Sequence, residues 1–447
     1  MKPHLLFIAF WYPPSRASGV YRALATTRAF VDAGWDVTVI TSTKEFLEDE
    51  IGSIDESLLD LIPPSVELTR VPFSLGLPAD LDVRSLGWWK ASFPSAWRKF
   101  DSSLDPMRGA LSVMKGASPE AHRMRDNYVG WIDPVVKAGL TVHSEKRVDH
   151  ILATGNPFSA FEAARLLAEL TETPFSVDYR DPWSMDVFTG NMDYADRATT
   201  EAERLIIAES TFCFHVNPAI ADAYRAKFPE SQAKQLVVYN GYDEESIPEP
   251  PTRSEGPIRF GILGTLNDRW PLEPTFEGWS LARADLPPRS TLVLGGHLGY
   301  FARSRDLLET YLPDRSAGFE YLGPVPKAQV AEFYATLDVV VLPVPGGPMV
   351  TTGKVYEALA IGVPMVCVQS KGGGARELIE DEKLGFGAEP EAEAVRAALL
   401  DAARASQNLD PALVSAAREN ARRFERRTAM DEMVMAVSAL GAGRQTA

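Results

Sequence analysis

The sequence is poor in the residues that build disulfide frameworks and metal sites. Its two cysteines, Cys213 and Cys367, lie in apolar, strand-like runs in different halves of the chain. Two thiols so placed fit neither a disulfide framework nor a thiolate metal site, and they favour a cytoplasmic location. The six histidines form no i, i+4 pair and no cluster with cysteine. We therefore expect no zinc site.

Long hydrophobic runs and the commonest nucleotide-binding loops are also missing. No apolar stretch approaches the roughly 20 residues that span a bilayer. The short run 5–12 ends at Pro13-Pro14 without a small-residue cleavage pattern, so it predicts a first β-strand and not a signal peptide. No Walker A loop is present, and no G-x-G-x-x-G follows the first strand, which argues against a P-loop enzyme and ordinary dinucleotide binding.

Positive charge is scarce except in one segment. The 61 acidic and 45 basic side chains give a net charge of −16, which argues against nucleic acid as a partner. Residues 84–147 nevertheless carry eleven basic and six acidic side chains, a net charge of +5, so the rest of the chain carries −21. Aromatic and basic residues interleave there at Trp88, Trp89, Lys90, Phe93, Trp97, Arg98, Lys99 and Phe100. This mixture suits an anionic membrane surface or an amphiphilic acceptor, or else an insertion whose aromatic rings pack on the N-terminal sheet.

The order of apolar runs and amphipathic stretches predicts two domains. Strand, loop, helix and strand follow one another from residue 5 to 41, which is a βαβ unit and implies a parallel sheet. The same order continues to residue 243 and restarts at residue 258 after an acidic, proline-rich linker, 244–257. We expect an N-terminal Rossmann-like domain over 1–243 with a basic aromatic insertion at about 76–147. A second such domain follows over 258–415, and a helical segment, 416–447, packs back toward the first. Two doubly wound domains leave a cleft for a ligand.

Two segments of the first half follow strands and could bind a ligand. In the loop 12–19, Gly19 would let the backbone approach a ligand, and an ordinary turn is an equal alternative. In the segment 177–183, Arg180 and Asp181 emerge at the end of an apolar strand. They suit a functional site at the carboxyl edge of the sheet, with a structural ion pair as the alternative.

Two segments of the second half suit a phosphate group. Gly353 begins a helix after Thr352, and Lys354 adds a positive charge at that helix end. Glu357, one turn on, is an acceptor suited to a ribose diol. The loop that starts at Gly264 brings a second cation, Arg269, after the first strand of the same domain. A capped helix with a solvated lysine and glutamate is the alternative.

These motifs resemble those of bacterial family 4 glycosyltransferases, which have the two-domain α/β GT-B fold. The similar segments are Tyr12-Pro13-Pro14 with Gly19 and Arg22, Tyr179-Arg180-Asp181-Pro182-Trp183, Asn240-Gly241-Tyr242-Asp243, Gly264 to Arg269, and Gly353 to Ala360 with Gly362 and Pro364. The second is similar to the RDPW-type branch of exopolysaccharide and O-antigen sugar transferases.

The resemblance implies a retaining glycosyltransferase of hexosyl or N-acetylhexosaminyl type that needs no metal or other cofactor. It implies that Glu357 binds the donor ribose, that Lys354 and Arg269 bind the diphosphate, and that Gly19, Arg180 and Asp181 lie beside the transferred sugar. The implied partners are a nucleotide diphosphate sugar and a glycan or lipid-linked acceptor. Surface polysaccharide or glycolipid synthesis, at the inner face of the plasma membrane, is the expected context. We therefore expect a cytoplasmic protein with peripheral membrane contact.

The sequence departs from the family pattern at two places. The family has a glutamate eight residues before Glu357, and this chain has Met349; many members have a histidine where Arg180 and Asp181 stand. Asp80-Leu81-Asp82 has the D-x-D shape of a metal-binding motif, but its proline- and glycine-flanked position favours an ordinary polar loop. A nucleotide-sugar epimerase of the same fold and a catalytically silent GT-B partner remain alternatives.

Overall fold

The computed structural model describes residues 2–51, 54–73, 126, 128–249, 256–266, 269–298, 306, 309 and 318–444. The chain forms two compact units. The first comprises residues 1–186, 191–239 and 429–447, and the second comprises residues 187–190 and 240–428. The basic aromatic stretch 76–125, the D-x-D at Asp80 to Asp82 and residues 250–255 of the expected linker lie outside the described residues.

The first unit contains a seven-stranded parallel sheet. Its strands are β1 (His4–Ile8), β2 (Asp36–Ser42), β3 (Glu67–Val71), β4 (His150–Gly155), β5 (Phe175–Tyr179), β6 (Cys213–His215) and β7 (Gln235–Val237). Their order in the sheet is β3-β2-β1-β4-β5-β6-β7, so the direction of winding reverses between β1 and β4. Leu5 on β1 pairs with Val37 on β2 and with His150 on β4. All five residues of β1 are buried, as expected for a continuous apolar strand covered on both faces.

Helices cover this sheet and complete its core. They are α1 (Val20–Asp32), α2 (Ile132–Glu145), α3 (Ser159–Thr171), α4 (Arg197–Glu209) and α5 (Pro218–Lys227). The last helix, α12 (Arg426–Arg444), belongs to this unit from residue 429 onward. Its Met430 and Met433 are fully buried among side chains of β1, β2 and α1, and the Thr26 hydroxyl lies 3.2 Å from the Met430 sulfur.

The second unit contains a six-stranded parallel sheet. Its strands are β8 (Arg259–Leu263), β9 (Thr291–Gly295), β10 (Phe319–Gly323), β11 (Val339–Pro343), β12 (Met365–Val368) and β13 (Gly385–Ala388). The order β10-β9-β8-β11-β12-β13 again reverses its direction of winding beside the first strand, between β8 and β11. In such sheets ligands bind outside the carboxyl ends of the strands, where the winding reverses.

The helices of the second unit pack on both faces of this sheet. They are α6 (Leu272–Ala282), α7 (Val330–Ala335), α8 (Gly353–Ile361), α9 (Gly374–Glu380), α10 (Ala392–Gln407) and α11 (Pro411–Ala421). Short turns of 3₁₀- or π-helix occupy Phe46–Ile51, Glu56–Leu61, Val129–Trp131, Pro229–Lys234, Glu244–Ser246, Lys327–Gln329 and Arg422–Phe424. The core lies between the sheet and α6 and α10, with Trp279 at its centre.

The predicted parallel sheets are confirmed, and two strands were missed. The sequence has apolar runs at 259–263 and 365–368 and an amphipathic stretch at 159–171, and these coincide with β8, β12 and α3. The missed strands, β3 and β13, are both at sheet edges. Strand β3 has two exposed residues and β13 has two glycines among its four, so neither contains the continuous apolar run of a central strand.

Candidate functional site: two loop clusters at the carboxyl ends of the sheets

In the first unit, Gly19 and Arg180 are in direct contact. Gly19 precedes α1 in the loop after β1, and Arg180 follows β5. A Cβ atom on Gly19 would lie 1.3 Å from Nη1 of Arg180, so this position accepts no side chain while the arginine keeps its place. The structure therefore brings together two of the three residues that we expected beside the transferred sugar.

Backbone carbonyls fix the direction of the Arg180 side chain. Its Nε donates to the Gly155 carbonyl at 2.6 Å, and Nη2 donates to the Asn156 carbonyl at 2.7 Å. Burial lowers the pKa of Arg180 from its ordinary value. Nη1 is the nitrogen that faces Gly19.

Asp181 is exposed to solvent next to Arg180. Desolvation by the surrounding protein raises the pKa of Asp181, and the nearby Arg180 charge opposes this. A surface carboxylate beside a fixed guanidinium is available to a ligand hydroxyl.

Asp178, three residues before Asp181, has a structural partner. Its Oδ1 lies 2.6 Å from Nη2 of Arg22, the arginine of the motif that begins at Tyr12. Arg22 Nε donates to Oδ2 at 2.9 Å, and the Thr154 hydroxyl donates to the same oxygen at 3.0 Å. Arg22 also donates to the Tyr239 carbonyl. Through these hydrogen bonds the ion pair connects α1 with β4, with β5 and with the segment that follows β7.

In the second unit, Glu357 is buried and paired with Lys354. Lys354 Nζ donates to Oε2 at 2.8 Å and to Oε1 at 3.1 Å, and Glu357 is 7% exposed. Burial alone would raise the pKa of Glu357, but the Lys354 charge and the hydrogen bonds outweigh it, and the pKa lies below its ordinary value. Lys354, which we expected at a diphosphate, has this carboxylate as its partner in the structure.

A third member of this group, Tyr334, was not among the residues expected from the sequence. Its hydroxyl donates to Oε2 of Glu357 at 2.6 Å, and burial raises the pKa of Tyr334 well above its ordinary value. Tyr334 lies on α7, 23 residues before Glu357. A tyrosine within an amphipathic helix resembles any core aromatic residue, and the sequence contains no signal of its contact with Glu357.

The N-terminus of α8 is open. Thr352 occupies the N-cap position without a side-chain hydrogen bond to the helix, and its buried Oγ1 has no partner within the described part of the chain. A Cβ on Gly353 would meet nothing within 4 Å. Free N–H groups with open space before them suit an anionic ligand.

Arg269 and Gly264 lie in the loop after β8. The Arg269 guanidinium stacks on the Phe188 ring, 4.3 Å from its centroid. Gly264 has a φ of +149°. A Cβ atom on Gly296 would lie 1.8 Å from the carbonyl oxygen of Gly264. Two glycines thus allow the loops after β8 and β9 to touch.

Phe188 belongs to a short segment, 187–190, that packs within the second unit. A Cβ on Gly347 would lie 2.6 Å from the Val187 carbonyl oxygen, and one on Gly190 would lie 3.2 Å from Pro348 Cγ. The segment therefore touches both the loop after β11 and Arg269, a contact that the sequence does not reveal.

Gln369, at the end of β12, organises the loop that precedes α8. Its Nε2 donates to the Pro345 carbonyl at 2.8 Å, and its Oε1 accepts from the Arg376 N–H at 2.9 Å. Met349 in that loop is buried, 6% exposed. An apolar side chain therefore fills the position where the resembled family has a glutamate.

The remaining expectations concern metals and membranes. Within the described ranges no group of three His, Cys, Asp or Glu side chains could hold a metal ion. Cys213 and Cys367 are free and buried. None of the described helices is both long and apolar enough to cross a membrane.

Comparisons with known proteins agree with this architecture. Residues 262–404 match the family model described as "Glycosyl transferases group 1", and these residues contain Arg269, Lys354 and Glu357. A search of curated proteins gives no match.

Solved structures show the fold. Sucrose-phosphate synthase from Thermosynechococcus elongatus matches with a TM-score of 0.62 at 16% identity, over 99% of this chain and 100% of that one. A glycosyltransferase from Rickettsia africae matches with a TM-score of 0.64 at 10% identity, over 98% of each chain. Anabaena HepE in complex with UDP and glucose matches with a TM-score of 0.60 at 15% identity, over 97% of this chain and 99% of that one. The chain has the GT-B fold, and the family match together with this fold supports a glycosyltransferase.

Proposed function

We propose that this chain is a retaining glycosyltransferase of family 4 type, in the RDPW branch. It would move a hexosyl or N-acetylhexosaminyl group from a nucleotide diphosphate sugar to a glycan or lipid-linked acceptor. The reaction would serve surface polysaccharide or glycolipid synthesis at the cytoplasmic membrane face.

The observation that carries the proposal is the Glu357–Lys354–Tyr334 group beside the open N-terminus of α8. A buried carboxylate held by two donors is a preorganised acceptor for a diol, and the helix N-terminus suits a diphosphate. Both lie at the carboxyl end of β11, beside the reversal of strand order. The similar HepE structure, which contains UDP and glucose, supports a nucleotide-sugar donor.

The reaction exchanges one bond to the anomeric carbon for another. The bond from that carbon to the diphosphate oxygen breaks, a bond to an acceptor hydroxyl oxygen forms on the same face, and the hydroxyl proton passes to the leaving diphosphate. Negative charge grows on the diphosphate in the transition state. Arg269, Lys354 and the N–H groups at Gly353 would stabilise that charge without a metal ion.

The residues of the first unit would act on the transferred sugar and the acceptor. Gly19 leaves room for the Arg180 guanidinium, which keeps its positive charge under ordinary conditions. Asp181 would accept a hydrogen bond from a sugar hydroxyl. Its raised pKa leaves the carboxylate with a high proton affinity.

A donor-binding screen tests the assignment of the second unit. UDP-, GDP- and dTDP-sugars are added to the full chain with and without EDTA, and the melting temperature is measured. One of them should raise the melting temperature in both conditions. Glu357→Gln should abolish most of that shift, and Glu332→Gln, an exposed position on α7, should leave it unchanged. Equal shifts in both variants would refute the site.

A further inference from the structure

A buried polar group lies beneath the Arg180–Asp181 segment and is not used in the mechanism above. Its centre is Glu203 on α4, which is 0% exposed. The Tyr224 hydroxyl, on α5, donates to Glu203 Oε1 at 2.5 Å, and the same hydroxyl accepts from the Trp183 backbone N–H at 3.1 Å. Tyr224 therefore connects Glu203 directly to the segment that carries Arg180 and Asp181.

The second oxygen of Glu203, Oε2, is buried and has no hydrogen-bond partner among the described residues. The hydroxyl groups of Ser184 and Tyr179 lie near Glu203 and favour its charged form. These two hydroxyls also have no other partner in the described part of the chain. Ser184 follows Trp183, so it belongs to the same loop that Tyr224 contacts.

Within the residues that the structure describes, no basic side chain forms an ion pair with Glu203, although the charge of Lys227 favours the ionised form of this carboxyl group. The nearest candidate, Lys227 on α5, instead donates to the backbone carbonyls of Ser184 and Met192. Burial raises the pKa of Glu203 above its ordinary value. A fully buried carboxyl group without a cation is normally neutral, because the cost of desolvating the charge exceeds the cost of keeping the proton.

We propose that Glu203, as a neutral carboxylic acid, is a positioning residue that holds the Arg180–Asp181 segment through Tyr224. In the neutral form Oε1 accepts the Tyr224 hydroxyl, and the acid proton at Oε2 is donated to the Ser184 or Tyr179 hydroxyl. The proposal rests on the proposed function, because it concerns residues that we place beside the transferred sugar.

Other titratable groups around Glu203 are on β5, β6 and α5. Tyr179, Cys213 and Tyr224 face it, and burial raises the pKa of each of the three. Burial lowers the pKa of Lys227 from its ordinary value. His215 stacks on Tyr179 and Tyr224, and burial lowers its pKa to about 4. Because several titratable groups surround Glu203, a change of activity with pH can be assigned to its carboxyl group only if a variant at Glu203 removes that change.

Three variants of the full chain separate the roles. Glu203→Gln keeps donor and acceptor groups without a charge, Glu203→Leu removes both, and Glu201→Gln changes an exposed glutamate on the same helix. We expect the Leu variant to lose kcat by about tenfold or more, as expected when a catalytic segment shifts, with the donor KM unchanged. The Gln variant should keep its kcat, because its amide can still accept the Tyr224 hydroxyl, and it should lack any pH dependence of kcat that ionisation of Glu203 causes in the wild type. Equal kcat in the Leu variant and the wild type, or a Gln variant as impaired as the Leu variant, would overturn the proposal.

Two measurements do not depend on transferase activity. Infrared spectroscopy at pH 7 should show a protonated carboxyl band that is lost in Glu203→Gln and kept in Glu201→Gln. Amide hydrogen exchange at Trp183 should accelerate in Tyr224→Phe and Glu203→Leu but not in Glu203→Gln. A carboxylate band at this site, or unchanged exchange at Trp183, would refute the positioning role. The expected band and exchange in a chain without transferase activity would instead refute the proposed function alone.

Discussion

Arg22 and Asp178 form a buried ion pair with Nη2 and Oδ1 2.6 Å apart, although 156 residues separate them in the chain. Their side chains are 3% and 1% exposed. The pair connects the helix after the Gly19 loop to the strand before Arg180, and so it fixes the two segments that meet at the Gly19–Arg180 contact. This makes Asp178 a structural residue and leaves Asp181 as the accessible carboxylate of the segment.

Removing one partner of this pair should be costly. Arg22→Ala leaves a buried carboxylate without its cation, and we expect a loss of about 3–5 kcal/mol in the free energy of unfolding. The control is Arg204→Ala, which breaks an exposed pair with Glu230 at 2.7 Å. That change should cost about 1 kcal/mol or less. Urea unfolding measures both, and similar losses would show that the Arg22 pair has no special structural role.

A methyl group at Gly19 should displace Arg180. Gly19→Ala places Cβ where the guanidinium lies, so the arginine must move or α1 must shift. We expect kcat to fall by about tenfold to a hundredfold, with nucleotide binding in the second unit unchanged.

Gly130→Ala is the matched control for this change. Its added Cβ would meet Phe73 at an ordinary 3.6 Å. Kinetics of both variants, with circular dichroism to verify folding, test the contact. Normal turnover in Gly19→Ala would show that the position of Arg180 does not matter for the reaction.

The lowered pKa of Glu357 predicts how stability depends on pH. A carboxyl group with a pKa below its ordinary value of 4.5 contributes stability above that pH and loses the contribution as pH falls through the folded-state pKa. Wild type should therefore melt at a higher temperature than Glu357→Gln at pH 7, and the difference should shrink below pH 4.5. A difference that is constant with pH would contradict an ionised, lysine-paired Glu357.

Phe188 should affect turnover only by holding the Arg269 guanidinium in place. Phe188→Leu removes the aromatic face, and the loss of a cation–π contact of about 0.5–1 kcal/mol should lower kcat about two- to fivefold. In an Arg269→Ala background the same change should have no further effect. Additive losses in this double-mutant cycle would indicate that Phe188 acts independently of Arg269.

The sequence predicts central strands and motif positions well because their signals are local. The apolar runs of β1, β8 and β12, and the helix that begins at Gly353, can be read from a few adjacent residues. The partners of the site residues cannot. Tyr334 and Gln369 come from other elements, and the contact of Phe188 with Arg269 joins residues 81 positions apart. Such pairings depend on the tertiary packing of helices and loops, to which adjacent residues contribute no recognisable pattern.

The most direct test of the account is whether release of the nucleoside diphosphate depends on an acceptor. The donor identified by the thermal screen is incubated with the full chain and a panel of free and lipid-linked glycans, and both the nucleotide and the product are quantified. Our account predicts release that requires an acceptor, an equal amount of extended glycan with retained anomeric configuration, and loss of both in Glu357→Gln. Conversion of the donor to another nucleotide sugar without an acceptor, as an epimerase would produce, or no turnover with any acceptor, as for a silent binding partner, would contradict it.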